Sequence, residues 1–441
     1  MGTGSNLDLD FAIKRMGKGI YLSPIKNINF IDDDEKILYD LNYQRIMEQA
    51  QKNRLEDLIV LEKAGPRKRI FFDPEKVIAG IVTCGGLCPG LNNVIRQLVM
   101  QLSYQYRVNK IIGFRYGFRG IYPESEISPL YLTVKDVEPI HHYGGSVLGT
   151  SRGHSDPVKI VDGLEYYGVN MLFTIGGDGT IRGSIAVEEE ATKRGLKIAV
   201  VNIPKTIDND IPFISKSFGF QTAVAKAGEF IRCAHNEAKG APNGVCIVKV
   251  MGRESGFIAA QATLAQKDVN YLLVPEMDFD LEGSHGLLVE LEGRLERSGH
   301  AVIVVAEGAG QKFFEDQEEE YDPSGNKILN DIGVYLRERI KSYFSARKKE
   351  VNVRYIDPSY SIRSVPANPE DSIYCGFLAE HAVHGAMSGR TRMIVGRWNE
   401  EFVYLPMEII NMGRNKIDLR SPFWQSVLLS TGQPALNNQD Q

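Results

Sequence analysis

Cysteine is scarce in this chain: Cys84, Cys88, Cys233, Cys246 and Cys375 are the five among 441 residues. So dilute and odd a number builds no disulfide scaffold. Cys84 and Cys88 stand four apart, but no second Cys/His pair completes a tetrahedral zinc site, and plain thiols in a reducing compartment are expected. No stretch approaches the ~18 consecutive apolar residues of a membrane-spanning helix. Charge of one sign is missing too: a net charge of −5 provides no basic face, which argues against nucleic acid as the main partner. The opening MGTGSNLDLDF has no apolar core of a secretory signal, and Gln439-Asp440-Gln441 is not a peroxisomal address, so cytoplasm is the expected compartment. There is no internal repeat, and no GxxxxGK[ST] loop, which excludes a P-loop NTPase.

What is present reads as a soluble α/β enzyme of two or three domains, since the length exceeds what one core organises. Residues 1–75 are polar and end in the breaks Gly65-Pro66 and Asp73-Pro74, which predicts an arm or small lobe packed on the main body. From Lys76 the pattern becomes strand, glycine-rich turn, helix, with Val94, Ile95, Leu98, Val99 and Leu102 at helical spacing. Apolar runs at 110–114, 168–175, 196–203, 243–250 and 300–307 predict buried strands separated by helices, hence parallel sheets. The acidic run 315–327 is expected to be a solvated loop. The strands end in Gly85-Gly86, Gly117, Gly176 to Gly179, Lys205 to Asp210, and Glu307-Gly308. In parallel sheets ligands bind beyond such carboxyl ends, so this polar ridge is where chemistry is expected.

FTIGGDGTIRGS (173–184) follows a strand and opens a helix predicted to begin near Ile181. Gly176, Gly177 and Gly179 let the backbone approach a phosphate, and amides at a helix start complement anionic oxygens. Asp178 would repel phosphate unless Mg²⁺ stands between them; the structural alternative is a strand–turn–helix corner with a solvated aspartate. TCGGLCPGLNNVIR (83–96) has the same build, and YGGSVLGTSRG (143–153) adds a third glycine-rich loop whose Arg152 suits a phosphoryl group. In NIPKTIDNDI (202–211), Asp208 is a candidate base, Asp210 a metal-shell or positioning carboxylate, and Thr206 a donor. The structural alternative there is a hydrogen-bonded turn.

These motifs, with VMGRESGF, VVAEGAGQ and RYIDPSYSIRS in order, resemble the 6-phosphofructokinase superfamily over residues ~76–390. The N-terminal arm, IDPSYSIRSVPAN and WQSVLLSTGQP look like its long-chain plant and trypanosomatid subgroup. The resemblance implies two Rossmann-like three-layer α/β domains with mainly parallel sheets, plus the N-terminal arm. A nucleotide-binding domain would comprise 76–212 with about 388–418, and a fructose 6-phosphate domain 213–387 with about 419–441. It implies transfer of the ATP γ-phosphoryl to the 1-hydroxyl of fructose 6-phosphate, with Mg²⁺ on Asp178 and Asp208 as base. Thr206, Gly86, Arg152 and Arg253 would surround the transferring group, and Gly177, Asp178, Gly179, Thr180 and Lys205 the nucleotide. Asp210, Met251, Gly252, Arg253, Glu307 and Arg363 would hold the sugar phosphate. Arg354 would reach the 6-phosphate of a neighbouring subunit, implying at least a dimer and, by resemblance, a homotetramer. Tyr360 stands where many bacterial members carry histidine on that phosphate.

Two positions disagree about the donor. Glycine at 179 leaves room for a nucleotide, where pyrophosphate users usually carry aspartate; Lys205 is typical of pyrophosphate users. The repulsive residue is the decisive one and is absent, so ATP is expected, with pyrophosphate as the alternative. A non-catalytic sugar-phosphate or nucleotide sensor on the same fold is disfavoured because Asp208, Asp178, Arg152 and Arg253 are all retained.

Overall fold

In a computed structural model the described residues are 9–52, 54–153, 156–316, 318–321 and 327–438. The first eight residues, the last three and part of the acidic run 315–327 lie outside them.

A nine-stranded sheet runs in the order Lys36–Leu38, Val60–Lys63, Glu401–Pro406, Met393–Trp398, Ala199–Pro204, Met171–Gly176, Ile78–Thr83, Lys110–Phe114, Leu130–Tyr131. Its five inner strands, Met393–Trp398 through Lys110–Phe114, are parallel and the flanking ones antiparallel. Alternation along Met171–Gly176 explains why both faces are covered. Met171, Phe173 and Ile175 enter one core with helices Leu91–Met100 and Pro369–Met387. Leu172 enters the other, with Pro157–Tyr167 and Asp178–Lys193.

The second sheet, Tyr271–Leu273, His300–Ala306, Gly244–Val250, Asn352–Ile356, is parallel throughout. Cys246, Val248 and Val250 pack on helices Phe220–Lys239 and Phe257–Gln266, while Val245 and Ile247 pack on Leu287–Ser298 and Ile332–Ala346. Two three-layer α/β units result, as expected.

The differences from expectation have local causes. The strands expected at 168 and 196 begin at Met171 and Ala199. Gly168 and Gly195 instead end the preceding helices in the left-handed region, with φ of 68° and 72°. The arm joins the main body through the sheet itself, where Lys36–Leu38 and Val60–Lys63 extend the large sheet beside Glu401–Pro406. Helix Pro369–Met387, expected with the second unit, buries Leu378, Ala379, Ala382 and Val383 against the large sheet.

A buried ion cluster fastens the arm. Arg390, 1% exposed, donates to Glu62 at 2.5 Å and to Asp33 at 2.7 Å, and Arg67 donates to Asp33 at 3.0 Å and to Lys63 O at 2.8 Å. Removing one partner of such a pair strands the other charge in a low dielectric. Arg390→Met is therefore expected to lower unfolding free energy by about 3–5 kcal/mol. Arg15→Met, at the half-exposed rim of the same cluster, should cost no more than about 1 kcal/mol. Urea unfolding followed by circular dichroism checks both; equal losses would deny the buried pair its role.

Candidate active site

Parallel register decides where the polar turns go. Ile78–Thr83, Met171–Gly176 and Ala199–Pro204 are neighbours, so their carboxyl ends open at one edge. Backbone hydrogen bonds then hold the turns together: Cys84 N–H donates to Ile175 O at 3.0 Å, Gly85 N–H to Ser151 O at 3.0 Å, and Lys205 N–H to Gly176 O at 3.1 Å. Because the backbone fixes these loops, their side chains remain available for chemistry.

The helix after the Gly176 turn begins at Asp178, with Gly177 as its N-cap, not near Ile181. The glycines read as loop, yet one in a first helical turn costs little when tertiary packing fixes the helix. Asp178 therefore belongs to the first turn, and its neighbour Thr180 is buried. A Cβ built on Gly179 would meet nothing within 4 Å, so the space above the helix start is open.

On the other side of this edge, Gly85 and Gly86 lie against two cations. Cβ atoms there would stand 3.5 Å from Lys205 Nζ and 3.6 Å from Arg152 Nη2, respectively. Lys205 is buried, and burial pushes its ammonium below the usual lysine range, opposed by Cys88 and Cys84. Gly86, Thr150, Arg152, Tyr360 and Arg363 are among the walls of a cavity of about 460 Å³. The Arg363 guanidinium lies 4.4 Å from the centroid of the exposed Tyr360 ring.

The second sheet contributes its own strand ends. Glu307 N–H donates to Val250 O at 2.9 Å, and Gly308 N–H to Gly252 O at 3.0 Å, which joins the Glu307 turn to buried Met251 and its neighbours. Glycine is required at both 252 and 308. Gly252 has φ +130°, and a Cβ on Gly308 would lie 1.8 Å from Arg253 O. Burial raises the Glu307 carboxyl, with Arg253 and Lys249 pulling against it.

The segment Lys205–Ile211 lies among these groups. The Thr206 hydroxyl donates to Asp210 Oδ1 at 2.7 Å and accepts the Asp208 N–H at 3.2 Å. Asn209, at φ 58°, accepts the Ser217 N–H at 2.7 Å. A hydrogen-bonded turn thus exists, and it aims the carboxylates instead of consuming them. Asp208 Oδ1 is buried and has no hydrogen-bond partner among the described residues. Burial pushes this carboxyl up to about 8, with Asp210 and Glu307 adding repulsion.

Asp178 and Asp210 converge on a residue that motif reading missed. Arg414 donates to Asp210 Oδ2 at 2.5 Å through Nη1 and to Asp178 Oδ2 through Nη2. It lies 204 positions from Asp210 in sequence, in a loop with no glycine-rich or strand-end signature, so no spacing revealed it. Burial raises Asp178 even so, with Arg414 the largest opposing influence. Two hard-oxygen carboxylates around one positive charge fit Mg²⁺, which typically takes one or two carboxylates and completes its shell with water and phosphate oxygens.

Arg253 lies beside the cluster, close enough for its charge to act on Glu307, whereas Arg354 stands apart from it. Arg253 is exposed, and its Nη2 donates to Lys327 O at 2.5 Å. Arg354 lies mid-strand on the exposed edge strand Asn352–Ile356, and no hydrogen bond or ion pair joins it to the cluster among the described residues.

The comparisons agree with this architecture. The sequence profile of the family described as phosphofructokinase matches residues 78–386. An ATP-dependent 6-phosphofructokinase of Borreliella burgdorferi is 47% identical, over 97% of this chain and 98% of its own length. ATP-dependent 6-phosphofructokinase 1 of Arabidopsis thaliana is 49% identical, over 86% and 80%. Among solved structures, a pyrophosphate-dependent phosphofructokinase of Marinobacter aquaeolei superposes with a TM-score of 0.66 at 18% identity, over 81% of this chain and 92% of that one, which speaks for the fold alone. With the profile covering most of its length and near-half identity to relatives of full extent, the chain belongs to the phosphofructokinase family.

Proposed function

We propose that this chain is an ATP-dependent 6-phosphofructokinase, transferring the ATP γ-phosphoryl to the 1-hydroxyl of fructose 6-phosphate and releasing fructose 1,6-bisphosphate and ADP. The observation that carries this reading is the placement of Asp208. Its carboxylate, with one oxygen unpartnered, lies between turns at the ends of parallel strands of both sheets, close enough to Asp210 and Glu307 for their charges to act on it. The names of the relatives at 47% and 49% identity support ATP as donor.

In this reading Asp208 accepts the proton of the sugar hydroxyl as its oxygen bonds to the γ-phosphorus and the bond to the β–γ bridging oxygen breaks. Asp178, with Asp210 beside it, would hold Mg²⁺, which when bound would supply charge neutralisation for the phosphates. Thr206 keeps its hydroxyl on Asp210 and its oxygen on the Asp208 amide, so its role is to orient both carboxylates. Gly86, Gly177, Gly179 and Thr180 form the backbone bed for the nucleotide, and Lys205 supports it from beneath Gly85. Arg152 serves the moving phosphoryl, and Arg253 exchanges Lys327 O for it. Met251, Gly252, Glu307 and Arg363 hold the sugar, with Tyr360 packed beneath the Arg363 guanidinium. The large sheet with its arm is the nucleotide half, and the second sheet is the sugar half.

Arg354, on an exposed edge, is assigned to the 6-phosphate of a neighbouring copy in a homotetramer. The compartment is the cytoplasm; no helix among the described residues is long and apolar enough to cross a membrane.

An assay of fructose 1,6-bisphosphate formation with ATP and pyrophosphate side by side tests the reading; turnover with neither, or with pyrophosphate alone, would overturn it. Asp208→Asn should cut kcat by roughly 10²–10⁴ with little change in KM for either substrate; near-normal turnover would remove Asp208 as base. Gly179→Asp has open space for its side chain, so its effect should be charge repulsion. KM for ATP should rise by at least about tenfold while the melting temperature holds. Arg354→Ala should raise KM for fructose 6-phosphate far more than KM for ATP, and equal changes would contradict a role at the sugar phosphate.

A further inference from the structure

Asp210 is 2% exposed, so its charge needs partners. Its partners are the Thr206 hydroxyl and one guanidinium nitrogen of Arg414. The other terminal nitrogen of the same guanidinium is committed to Asp178, and Nε lies 3.8 Å from the Glu254 carboxylate. One cation therefore serves both carboxylates that the proposed mechanism gives to the metal.

The loop presenting Arg414 is fastened on two sides. Asn415 donates its N–H to Asp210 O and its Nδ2 to Ile211 O, both at 2.8 Å. Ile417 N–H donates to Glu276 Oε1 at 2.9 Å, and Glu276 also takes the Gly256 N–H, at the start of helix Phe257–Gln266, at 3.1 Å. The guanidinium is thus held in place by backbone anchors, not drawn in by a chance surface contact.

We propose that Arg414 is a resident cation that blocks the Asp178 carboxylate against a bare divalent ion and releases it only to a metal arriving with the nucleotide, while keeping Asp210. The inference rests on the assignment of Asp178 to the metal made above. A bare divalent ion entering beside a guanidinium meets like charge and leaves Arg414 one anion short. A metal–nucleotide complex is net negative and brings phosphate oxygens, so the nitrogen that leaves Asp178 finds a new acceptor in the same step. Arg414 is on this view a positioning residue that makes the metal enter as the nucleotide complex.

Mn²⁺ binding to the full chain tests this apart from activity, measured from the free-ion electron paramagnetic resonance signal without nucleotide and, with ATP, as the protein-bound fraction separated by ultrafiltration from free Mn²⁺ and free Mn²⁺–ATP. The wild type is expected to bind Mn²⁺ weakly alone and tightly with ATP. Arg414→Met should bind Mn²⁺ without nucleotide at least about tenfold tighter than wild type. Arg414→Lys, which keeps the charge, should stay near wild type, and Asp178→Asn added to Arg414→Met should abolish the gain. Should Arg414→Met melt far below wild type, Arg414→Gln, which keeps donors without charge, carries the same expectation. Unchanged nucleotide-free affinity in the uncharged variant, while Asp178→Asn weakens Mn²⁺ binding with ATP, overturns the role of Arg414 alone. Unchanged Mn²⁺–ATP binding in Asp178→Asn overturns the metal assignment, and this inference with it.

Discussion

Parallel pairing is the constraint from which the rest of this structure follows. A strand that must pair in parallel with its neighbour is reached by a crossover, so every strand in the set discharges its chain at the same edge. Here that rule operates twice. The inner strands of the large sheet bring the Gly85, Gly176 and Lys205 turns together, and the second sheet does the same for the Met251 and Glu307 turns. Turns so crowded must be bonded through their backbones, as Lys205 to Gly176 and Gly308 to Gly252 are. Crowding also explains Gly308, where any side chain would collide with the Arg253 carbonyl.

Electrostatics then distributes unequal tasks among the carboxylates gathered there. Asp210 is satisfied by a hydroxyl and a guanidinium; Asp178 shares the same guanidinium; Asp208 has an oxygen with no partner and two acidic neighbours. The carboxylate least compensated is the one for which taking a proton relieves most repulsion, which is what a base facing an alcohol requires. The arm cluster shows the contrast. In that group three cations, Arg390, Arg67 and Arg15, face two anions, Glu62 and Asp33, so neither carboxylate is left uncompensated, and the arrangement serves cohesion.

Much of this was legible in the sequence because local signals and global fold coincide. The run Lys110–Phe114 is a strand with the expected bounds, since its apolar residues are buried on both faces and breaks flank it. The glycine-rich turns and Asp208 fall at strand ends because that is where a parallel sheet puts them. What failed were boundaries and long-range partners. Helix Asp178–Lys193 starts earlier than its glycines suggested, and helix Pro369–Met387 packs on the sheet that its position in the chain did not indicate. Arg414 left no trace because its meaning depends on two carboxylates brought to it by folding.

The returning C-terminal segment deserves weight for a mechanical reason. Met393–Trp398 and Glu401–Pro406 complete the large sheet, and the chain then continues through the loop that presents Arg414 before Ile417 bonds to Glu276 of the second unit. A single stretch therefore supplies two interior strands of one sheet, places a cation on Asp178 and Asp210, and grips the start of helix Phe257–Gln266 through Glu276. Any change in spacing between the two units must move this loop relative to at least one of its anchors. Cation placement and the spacing of the two units are thus coupled through covalent connection and four hydrogen bonds, not through diffuse packing.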